Sequence, residues 1–343
     1  LYMVELGTES VMYSINSQDF HVKVFDTNVL YQDIAEHRQN IIQRKDARLS
    51  GEKLIKALGI EAISRPVISV VSYGALEQLP IATLYNSRSN KWLIEEKSIS
   101  RYSLLSRIGQ HDAKVGSTND RLAISDPLFY VPPPPKFRLS PYFESQNTVI
   151  KLESLPNTLL ESLALLGENN SYHRLLLTQE DAVESVVKSS LDQDNWNFIS
   201  FSTHTVFPSK NNSVPYPGLA MSIDFDDQTN DSILQADEIA SLNIGGSSVL
   251  LAACNTANAG EVGGSFNSLI TSFQFAGASS VIASQWNIFS DETYEFMLQV
   301  ANLINTESYT PQAAIREVQS MLATKLSNRK DSASTWGAWE IYQ

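Results

Sequence analysis

Short apolar runs alternate with amphipathic stretches along most of this 343-residue chain. Apolar runs of about four to eight residues are typical of strands, and apolar residues spaced three or four apart are typical of helices. The pattern predicts strands over 10–15, 20–25, 67–71, 174–177, 198–203, 219–223, 248–253 and 280–284. It predicts helices over 28–43, 51–58, 159–166, 178–191, 236–242, 265–275, 291–304 and 311–326.

The order of these elements predicts an α/β fold. Strands that are separated by helices of this length pair in parallel, and the helices cover both faces of the sheet. Four consecutive prolines at 132–135 cannot donate hydrogen bonds to a neighbouring strand and favour an extended conformation. They predict a boundary between an N-terminal half, 1–135, and a C-terminal half, 136–343. A loop inside one domain is the equal alternative.

The composition is that of a folded globular protein, with 43% hydrophobic and 18% charged residues. A formal net charge of -13 without clusters of Lys and Arg argues against nucleic acid or an anionic membrane as a partner. No signal peptide is recognisable, and no apolar run is long enough to cross a bilayer. A single cysteine forms no internal disulfide, so we expect a reducing, cytoplasmic location. Because the first residue is Leu1 and not methionine, we expect a further region upstream.

Two residues with catalytic chemistry follow two of the predicted strands. His204 comes directly after the strand 198–203, and Cys254, the only cysteine, comes directly after the strand 248–253. The carboxyl ends of neighbouring parallel strands meet at one edge of a sheet, where ligands bind. A thiol with an ordinary pKa of about 8.5 is mostly protonated at neutral pH, so it needs a base to become a nucleophile. The two positions together predict a catalytic dyad, although a lone cysteine after an apolar strand is more often a small buried residue.

Eight blocks of sequence add to this prediction: VVSYGAL at 70–76, LP at 79–80, LPNTLLE at 155–161, FSTH at 201–204, ILQADEI at 233–239, VLLAACNTA at 249–257, FAGASSVIASQW at 275–286 and WGAW at 336–339. In this order they resemble the motifs of the CHAT peptidases, which are caspase relatives and are similar to the protease domain of separase. The spacing of 50 residues from His204 to Cys254 also matches that of caspase-type peptidases. The resemblance covers nearly the whole chain.

The resemblance implies a caspase-like fold, a mostly parallel sheet flanked by helices, with a degenerate N-terminal half and an active C-terminal half. It implies a cysteine endopeptidase in which His204 accepts the thiol proton of Cys254 and returns a proton to the leaving amine. The backbone N–H groups of Thr205 and Cys254 would hold the oxyanion. It further implies a protein substrate, an upstream repeat or sensor region as regulator, a bacterial source and no cofactor. Two alternatives stay open: an inactive pseudopeptidase that serves as an interaction module, and a cysteine hydrolase that acts on small amides.

The chain departs from the family pattern at two places. Many members have glycine after the catalytic histidine, where this chain has Thr205. Many relatives carry acidic residues just beyond the tryptophan that matches Trp286, and these hold a basic side chain of the substrate. Here Asn287, Phe289 and Ser290 occupy the matching positions. We therefore expect Trp286, Asn287 and Ser290 to bind a neutral or apolar substrate residue, and Asp291 to serve the first turn of the next helix.

The other polar and aromatic residues that stand out indicate structural roles. Four histidines lack the spacing of a metal site, so we expect no bound metal: His21, His37, His111 and His173. The glycine pairs at 245–246 and 263–264 and the acidic pair at 226–227 are typical of turns. Trp336 and Trp339 are expected in a hydrophobic core.

Overall fold

A computed structural model describes residues 1–15, 20–71, 73–102, 119–129, 152–168, 171–193, 195–208, 214–227, 229–252 and 265–343. Contacts between residues divide the chain into two compact units. Unit 1 consists of Leu1–His111 and Gln312–Gln343, and unit 2 consists of Asp112–Pro311.

The described residues form strands and helices in the following order. The strands are β1 (Tyr2–Leu6), β2 (Glu9–Ile15), β3 (Phe20–Asp26), β4 (Val67–Val71), β5 (Tyr85–Asn86), β6 (Lys91–Trp92), β7 (Ser98–Tyr102), β8 (Arg121–Pro127), β9 (Arg174–Gln179), β10 (Phe198–Ser202), β11 (Thr205–Val206), β12 (Gly218–Ala220), β13 (Ile233–Gln235), β14 (Ser248–Leu251), β15 (Ser280–Ser284) and β16 (Trp339–Tyr342). The helices are α1 (Thr27–Ile42), α2 (Arg48–Leu58), α3 (Ala75–Gln78), α4 (Leu93–Glu96), α5 (Pro156–Leu166), α6 (Glu184–Gln193), α7 (Ala236–Ser241), α8 (Ser265–Phe275), α9 (Ser290–Thr306), α10 (Pro311–Lys325) and α11 (Ala333–Trp336).

Unit 1 contains an antiparallel sheet, β1-β2-β3, and a parallel arrangement of β4, β7 and β16. The Arg101 side chain on β7 is completely buried and forms an ion pair with Glu340 on β16, with 2.9 Å between Nε and Oε2. Trp336 and Trp339 are 0% and 1% exposed, so their predicted place in a core is confirmed.

Unit 2 is built on five parallel strands in the order β15-β14-β10-β8-β9. Phe198 on β10 is level with Ser248 on β14 and with Arg121 on β8. Helices cover both faces, because the Phe201 ring contacts Phe273 of α8 on one side, and the Arg121 guanidinium reaches the Leu165 carbonyl oxygen of α5 from the other. Side chains alternate between the two faces along a strand, and paired residues of neighbouring strands point to the same face. Arg121 pairs with Phe198, three residues before Phe201, so Arg121 and Phe201 point to opposite faces.

Most predicted elements are present with ends shifted by one to three residues, and the strands β4 and β15 and the helix α8 agree fully. The predicted helix start at Thr178 was wrong. Thr178 continues β9, because it pairs with Ser125 of β8, and the helix α6 begins only at Glu184. Gln179 has a left-handed backbone, with φ of 49°, which ends the strand before any helix can start.

The two compact units divide the chain differently from the predicted halves. The proline run at 132–135 lies outside the described residues, so the boundary expected there stays a prediction. Residues 312–343 were assigned to the C-terminal half, whereas they belong to unit 1 in the structure. Strand β16 explains this arrangement, because it pairs in parallel with β7, far away in sequence.

Within the described ranges, no helix combines the length and the apolar composition needed to cross a membrane.

Candidate functional site

His204 lies at the carboxyl end of β10, as its position after an apolar run predicts. Strand β10 is a neighbour of β14 in the sheet, and the two strands run parallel. A small antiparallel sheet, β11-β12-β13, begins directly after His204. The Ala220 N–H of β12 donates a 2.9 Å hydrogen bond to the His204 carbonyl oxygen. His204 is therefore held between a long parallel sheet and a short antiparallel one.

The imidazole ring of His204 is half-buried and has two described neighbours. Its Nε2 atom lies 2.8 Å from the backbone carbonyl oxygen of Glu153. Its ring is 5.1 Å from the Phe129 ring, measured between centroids. A carbonyl oxygen can only accept a hydrogen bond, so Nε2 carries the proton and donates it. In the neutral ring Nδ1 is therefore the nitrogen with a free lone pair, and it can act as a base.

Thr205 is the first residue of β11 and lies opposite Leu219 of β12. Because His204 and Ala220 form the hydrogen-bonded pair before it, Thr205 and Leu219 form a pair whose backbone groups point away from each other. The Thr205 N–H thus points away from β12. Its φ is not among the positive values of the described residues, so the backbone at this position does not require glycine.

Cys254 lies outside the described residues, and so do His111 and the glycine pair at 263–264. The structure describes the approach to the cysteine as far as Ala252, directly after β14. The Ala252 N–H donates a 2.9 Å hydrogen bond to the carbonyl oxygen of Phe201 on β10. The chain thus reaches the carboxyl end of β14 beside the strand that leads to His204.

The predicted substrate residues follow β15. Trp286 is 1% exposed, whereas Asn287 and Ser290 are exposed. The Ser290 hydroxyl accepts a 2.9 Å hydrogen bond from the side-chain amide of Asn157 on α5. Asp291 lies in the first turn of α9, as expected, and the Asn157 amide also reaches its carboxylate, at 3.3 Å. The role of Trp286, Asn287 and Ser290 in binding substrate stays a prediction.

The histidines that were expected to be structural are described except for His111. His37 is completely buried, and its two ring nitrogens lie 2.9 Å from the Ser50 hydroxyl and 3.0 Å from the Thr83 hydroxyl. Burial lowers the pKa of His37 to about 4. The His173 ring stacks on Trp196, and His21 is exposed on β3. No cluster of three potential metal ligands occurs among the residues that the structure describes.

Asp226 is exposed in a bend of the chain, and the neighbouring Asp227 is half-buried. The Asp227 carboxylate accepts hydrogen bonds from the backbone and hydroxyl of Thr229 and from Asn230. These bonds hold the pKa of Asp227 below its ordinary value.

The two ring neighbours of His204 were not found by sequence reasoning. The Glu153 contact is made by a backbone carbonyl, which every residue type carries, so no side-chain pattern announces it. Phe129 follows β8, a strand that the apolar pattern did not predict because charged residues lie within it at Arg121 and Asp126.

Comparisons with known proteins agree with this architecture. The family model described as the CHAT domain matches residues 44–342. The complex of the pro- and mature domains of RgpB from Porphyromonas gingivalis has a TM-score of 0.50 at 8% identity, with 85% of this chain and 68% of that chain covered. Identity this low shows a shared fold alone.

Two further solved structures are similar to a smaller degree. The Arg-specific cysteine proteinase gingipain R has a TM-score of 0.48 at 9% identity, with 85% of this chain and 66% of that chain covered. Separase in the Saccharomyces cerevisiae separase–securin complex has a TM-score of 0.43 at 12% identity, with 80% of this chain and 15% of that chain covered. The chain therefore spans less than two thirds of the gingipain R chain and a small part of separase.

No match to the sequence was found among curated proteins. The predicted α/β fold, with a mostly parallel sheet flanked by helices, is confirmed by the structure and by its similarity to the fold of the RgpB complex. Since the family model matches most of the sequence, from residue 44 to residue 342, the chain belongs to the CHAT domain family.

Proposed function

We propose that this protein is a cysteine endopeptidase that uses Cys254 as nucleophile and His204 as base. The observation that carries the proposal is the environment of His204. Its ring lies at the carboxyl end of β10, and the Glu153 carbonyl oxygen fixes the proton on Nε2. The imidazole is thereby prepared to accept a proton at Nδ1, which is the role that an activated cysteine requires.

Chain connectivity supports the pairing of these two residues. The Ala252 N–H donates a hydrogen bond to the carbonyl oxygen of Phe201 on β10, and Phe201 precedes His204 by three residues. Cys254 is two residues beyond Ala252, and two residues span at most about 7 Å of extended chain. This short distance along the chain supports the proposed pairing of Cys254 with His204.

The proposed reaction proceeds in two stages. The thiol proton of Cys254 passes to Nδ1 of His204, and the sulfur attacks the carbonyl carbon of the scissile peptide bond. Imidazolium then gives its proton to the leaving amine, the C–N bond breaks, and a thioester remains on the sulfur. Water, deprotonated by His204, attacks the thioester and releases the carboxylate product and the thiol.

Backbone donors supply the oxyanion site in this proposal. The Thr205 N–H points away from β12, at the outer edge of the small sheet, and Cys254 contributes its own N–H. Removing one such donor costs about 3–4 kcal/mol of barrier in known cases. The extended backbone at Thr205 supports activity despite the absence of glycine at this position.

Substrate selection follows from the residues after β15. Asn287 and Ser290 are exposed and uncharged. The nearby Asp291 lies in the first turn of α9, and its carboxylate accepts a hydrogen bond from the Asn157 amide. A basic substrate residue would thus have no dedicated counter-charge among these positions. We propose a neutral or apolar residue before the scissile bond, a protein substrate, a cytoplasmic location and regulation by an upstream repeat or sensor region.

The test uses the 343-residue chain, a library of peptides and a thiol-reactive peptide probe. We expect cleavage after neutral or apolar residues, detected by mass spectrometry, and covalent labelling of Cys254. Cys254→Ala and His204→Ala should each lower cleavage by at least about 1000-fold, since members of a catalytic unit fail together. His21→Ala is the matched control, because His21 is an exposed histidine of unit 1.

Three outcomes would contradict the proposal. Cleavage retained in either variant excludes the dyad. A folded protein that neither cleaves peptides nor reacts with the probe, even with the proposed upstream region present, indicates the interaction module. Turnover of small amides without any peptide cleavage would indicate a cysteine hydrolase that acts on small amides. Circular dichroism of each variant checks that the fold is intact.

A further inference from the structure

The segment that supplies the Glu153 carbonyl is attached to the protein on both sides of that residue. On one side, the Leu152 side chain packs against the apolar cluster of Val206, Val214 and Ala220. On the other side, the Leu155 N–H donates a 2.7 Å hydrogen bond to Oδ1 of Asp126, and the Ser154 hydroxyl donates a 3.0 Å bond to the same atom. The position of the Glu153 carbonyl therefore depends on Asp126.

Asp126 is itself firmly held near the end of β8. It is 6% exposed, and its second carboxylate oxygen accepts a 2.7 Å hydrogen bond from the Gln179 amide of β9. The same amide donates a 2.8 Å bond to the Asp126 carbonyl oxygen. One side chain thus joins β8, the end of β9 and the segment before α5.

The backbone at Asp126 is unusual for a residue with a side chain. Its φ is 41°, in the left-handed region, and the pairing of β8 with β9 shifts register between Ser125 and Pro127. Such bulges redirect side chains, and strained backbone persists where the surroundings enforce it. Here the irregular backbone directs the Asp126 carboxylate toward the Ser154 hydroxyl and the Leu155 N–H.

We propose that Asp126 is a positioning residue for the proposed reaction: through Ser154 and Leu155 it holds the Glu153 carbonyl that orients the His204 ring. The proposal rests on the function proposed above. Asp126 is assigned no contact with the substrate or the sulfur in this proposal. Its effect on the reaction passes through a backbone carbonyl to Nε2, so it governs which ring nitrogen carries the proton.

The test compares Asp126→Ala, Asp126→Asn and Ser154→Ala in the full 343-residue chain. Two quantities are measured: the rate of Cys254 labelling by the thiol-reactive peptide probe, and the protonated nitrogen of neutral His204 by nitrogen-15 NMR. Asp227→Ala is the matched control, because Asp227 also accepts backbone and hydroxyl hydrogen bonds, but in a loop of the same unit.

We expect Asp126→Ala to slow labelling about 10- to 100-fold, as losses of such supporting bonds do around metal ligands. The probe concentration that gives the half-maximal labelling rate should change less than about twofold, because the substitution does not alter binding of the probe. His204 should change from a single tautomer to a mixture. Asp126→Asn should recover part of the rate, because its amide oxygen still accepts from Leu155 and asparagine tolerates a left-handed backbone. Recovery is incomplete because the new NH2 group faces the Gln179 amide, which also donates. Ser154→Ala should have a smaller effect than Asp126→Ala.

The idea is overturned if Asp126→Ala is folded, labels like the wild type and keeps the wild-type His204 tautomer. Should Asp126→Ala fail to fold, Ser154→Ala decides in the same way, because it removes one of the two bonds that the Asp126 Oδ1 atom accepts from this segment. A wild-type protein that never reacts with the probe, even with the proposed upstream region present, would refute the proposed function. The NMR measurement would then still decide whether Asp126 fixes the His204 ring.

Discussion

Glu161 carries a carboxyl group into the interior of unit 2. It lies on the buried face of α5 and is 2% exposed, and its Oε2 atom has no hydrogen-bond partner within the described part of the chain. The same helix face packs on the central strands, where the Ser125 and Ser202 hydroxyls are also buried. Burial raises the pKa of Glu161 from its ordinary value of 4.5 to about 8. The side chain is therefore neutral at pH 7 in the folded protein.

This pKa makes stability depend on pH in a defined direction. The folded state binds the Glu161 proton more tightly than the unfolded state, so the stabilising effect is complete below pH 4.5 and is lost as pH rises to about 8. One proton per molecule corresponds to at most about 1.4 kcal/mol of unfolding free energy per pH unit. We expect Glu161→Gln, which cannot ionise, to show a smaller fall in stability over this window.

Chemical denaturation at several pH values checks this expectation. Glu184 also has a raised pKa, near 7, so the difference between the wild-type and Glu161→Gln curves is the informative quantity. Parallel curves for the two proteins from pH 5 to pH 8 would show that Glu161 is ionised in the folded state.

At the scale of elements, the small sheet β11-β12-β13 holds the backbone at His204 and Thr205. The small sheet connects the end of β10 to the segment before α7. Gly218 of β12 pairs with Gln235 of β13 at a position with little room for a side chain. A Cβ atom at Gly218 would lie 2.5 Å from a methyl carbon of Ile233 and 2.9 Å from the Leu234 carbonyl oxygen. Because one of these contacts is with backbone, a rotamer change does not relieve it.

We expect Gly218→Ala to destabilise the protein by about 1–3 kcal/mol, the usual cost of overpacking. It should also slow the labelling of Cys254, since the displaced strand carries the partners of His204 and Thr205. Gly245→Ala is the control, because a Cβ there would meet only Asn243 Oδ1, at 3.6 Å. Thermal unfolding and labelling rates measure both effects, and equal results for the two variants would contradict the argument.

At the scale of the whole molecule, unit 1 joins the beginning and the end of the chain. The Arg101–Glu340 ion pair connects strands that are 239 residues apart, and the guanidinium also donates to the carbonyl oxygens of Leu76 and Leu79. Both charged side chains are almost completely buried, at 0% and 3% exposed. A buried charge that loses its partner is strongly unfavourable.

Glu340→Gln should therefore cost about 3–5 kcal/mol of stability, since Arg101 keeps its charge without a carboxylate. Glu52→Gln, which removes the exposed ion pair between Lys56 and Glu52, should leave the unfolding midpoint close to that of the wild type. Hydrogen exchange should show the loss of protection in β7 and β16. Protection in these strands equal to that of the wild type would mean that the pair contributes little.

The sequence alone determined the features that depend on local spacing. Apolar periodicity located β4, β15 and α8 and placed His204 at a strand end, and the ordered motifs indicated the family. These features could be predicted because a residue's preference for strand or helix, and the direction of its side chain, repeat over a few positions. Cys254 lies outside the described residues, so the meeting of the dyad stays a prediction.

Tertiary structure alone decided the features that depend on distant partners. Strands β7, β8 and β16 contain Arg101, Asp126 and Glu340, and such residues are buried only when a partner from another element satisfies them. The same holds for the Glu153 carbonyl at His204, for the end of β9 at Gln179 and for the joining of residues 312–343 to unit 1. Hydrogen bonds and ion pairs between distant segments form only on folding and leave no periodic pattern in the sequence. These features could therefore not be predicted from the sequence.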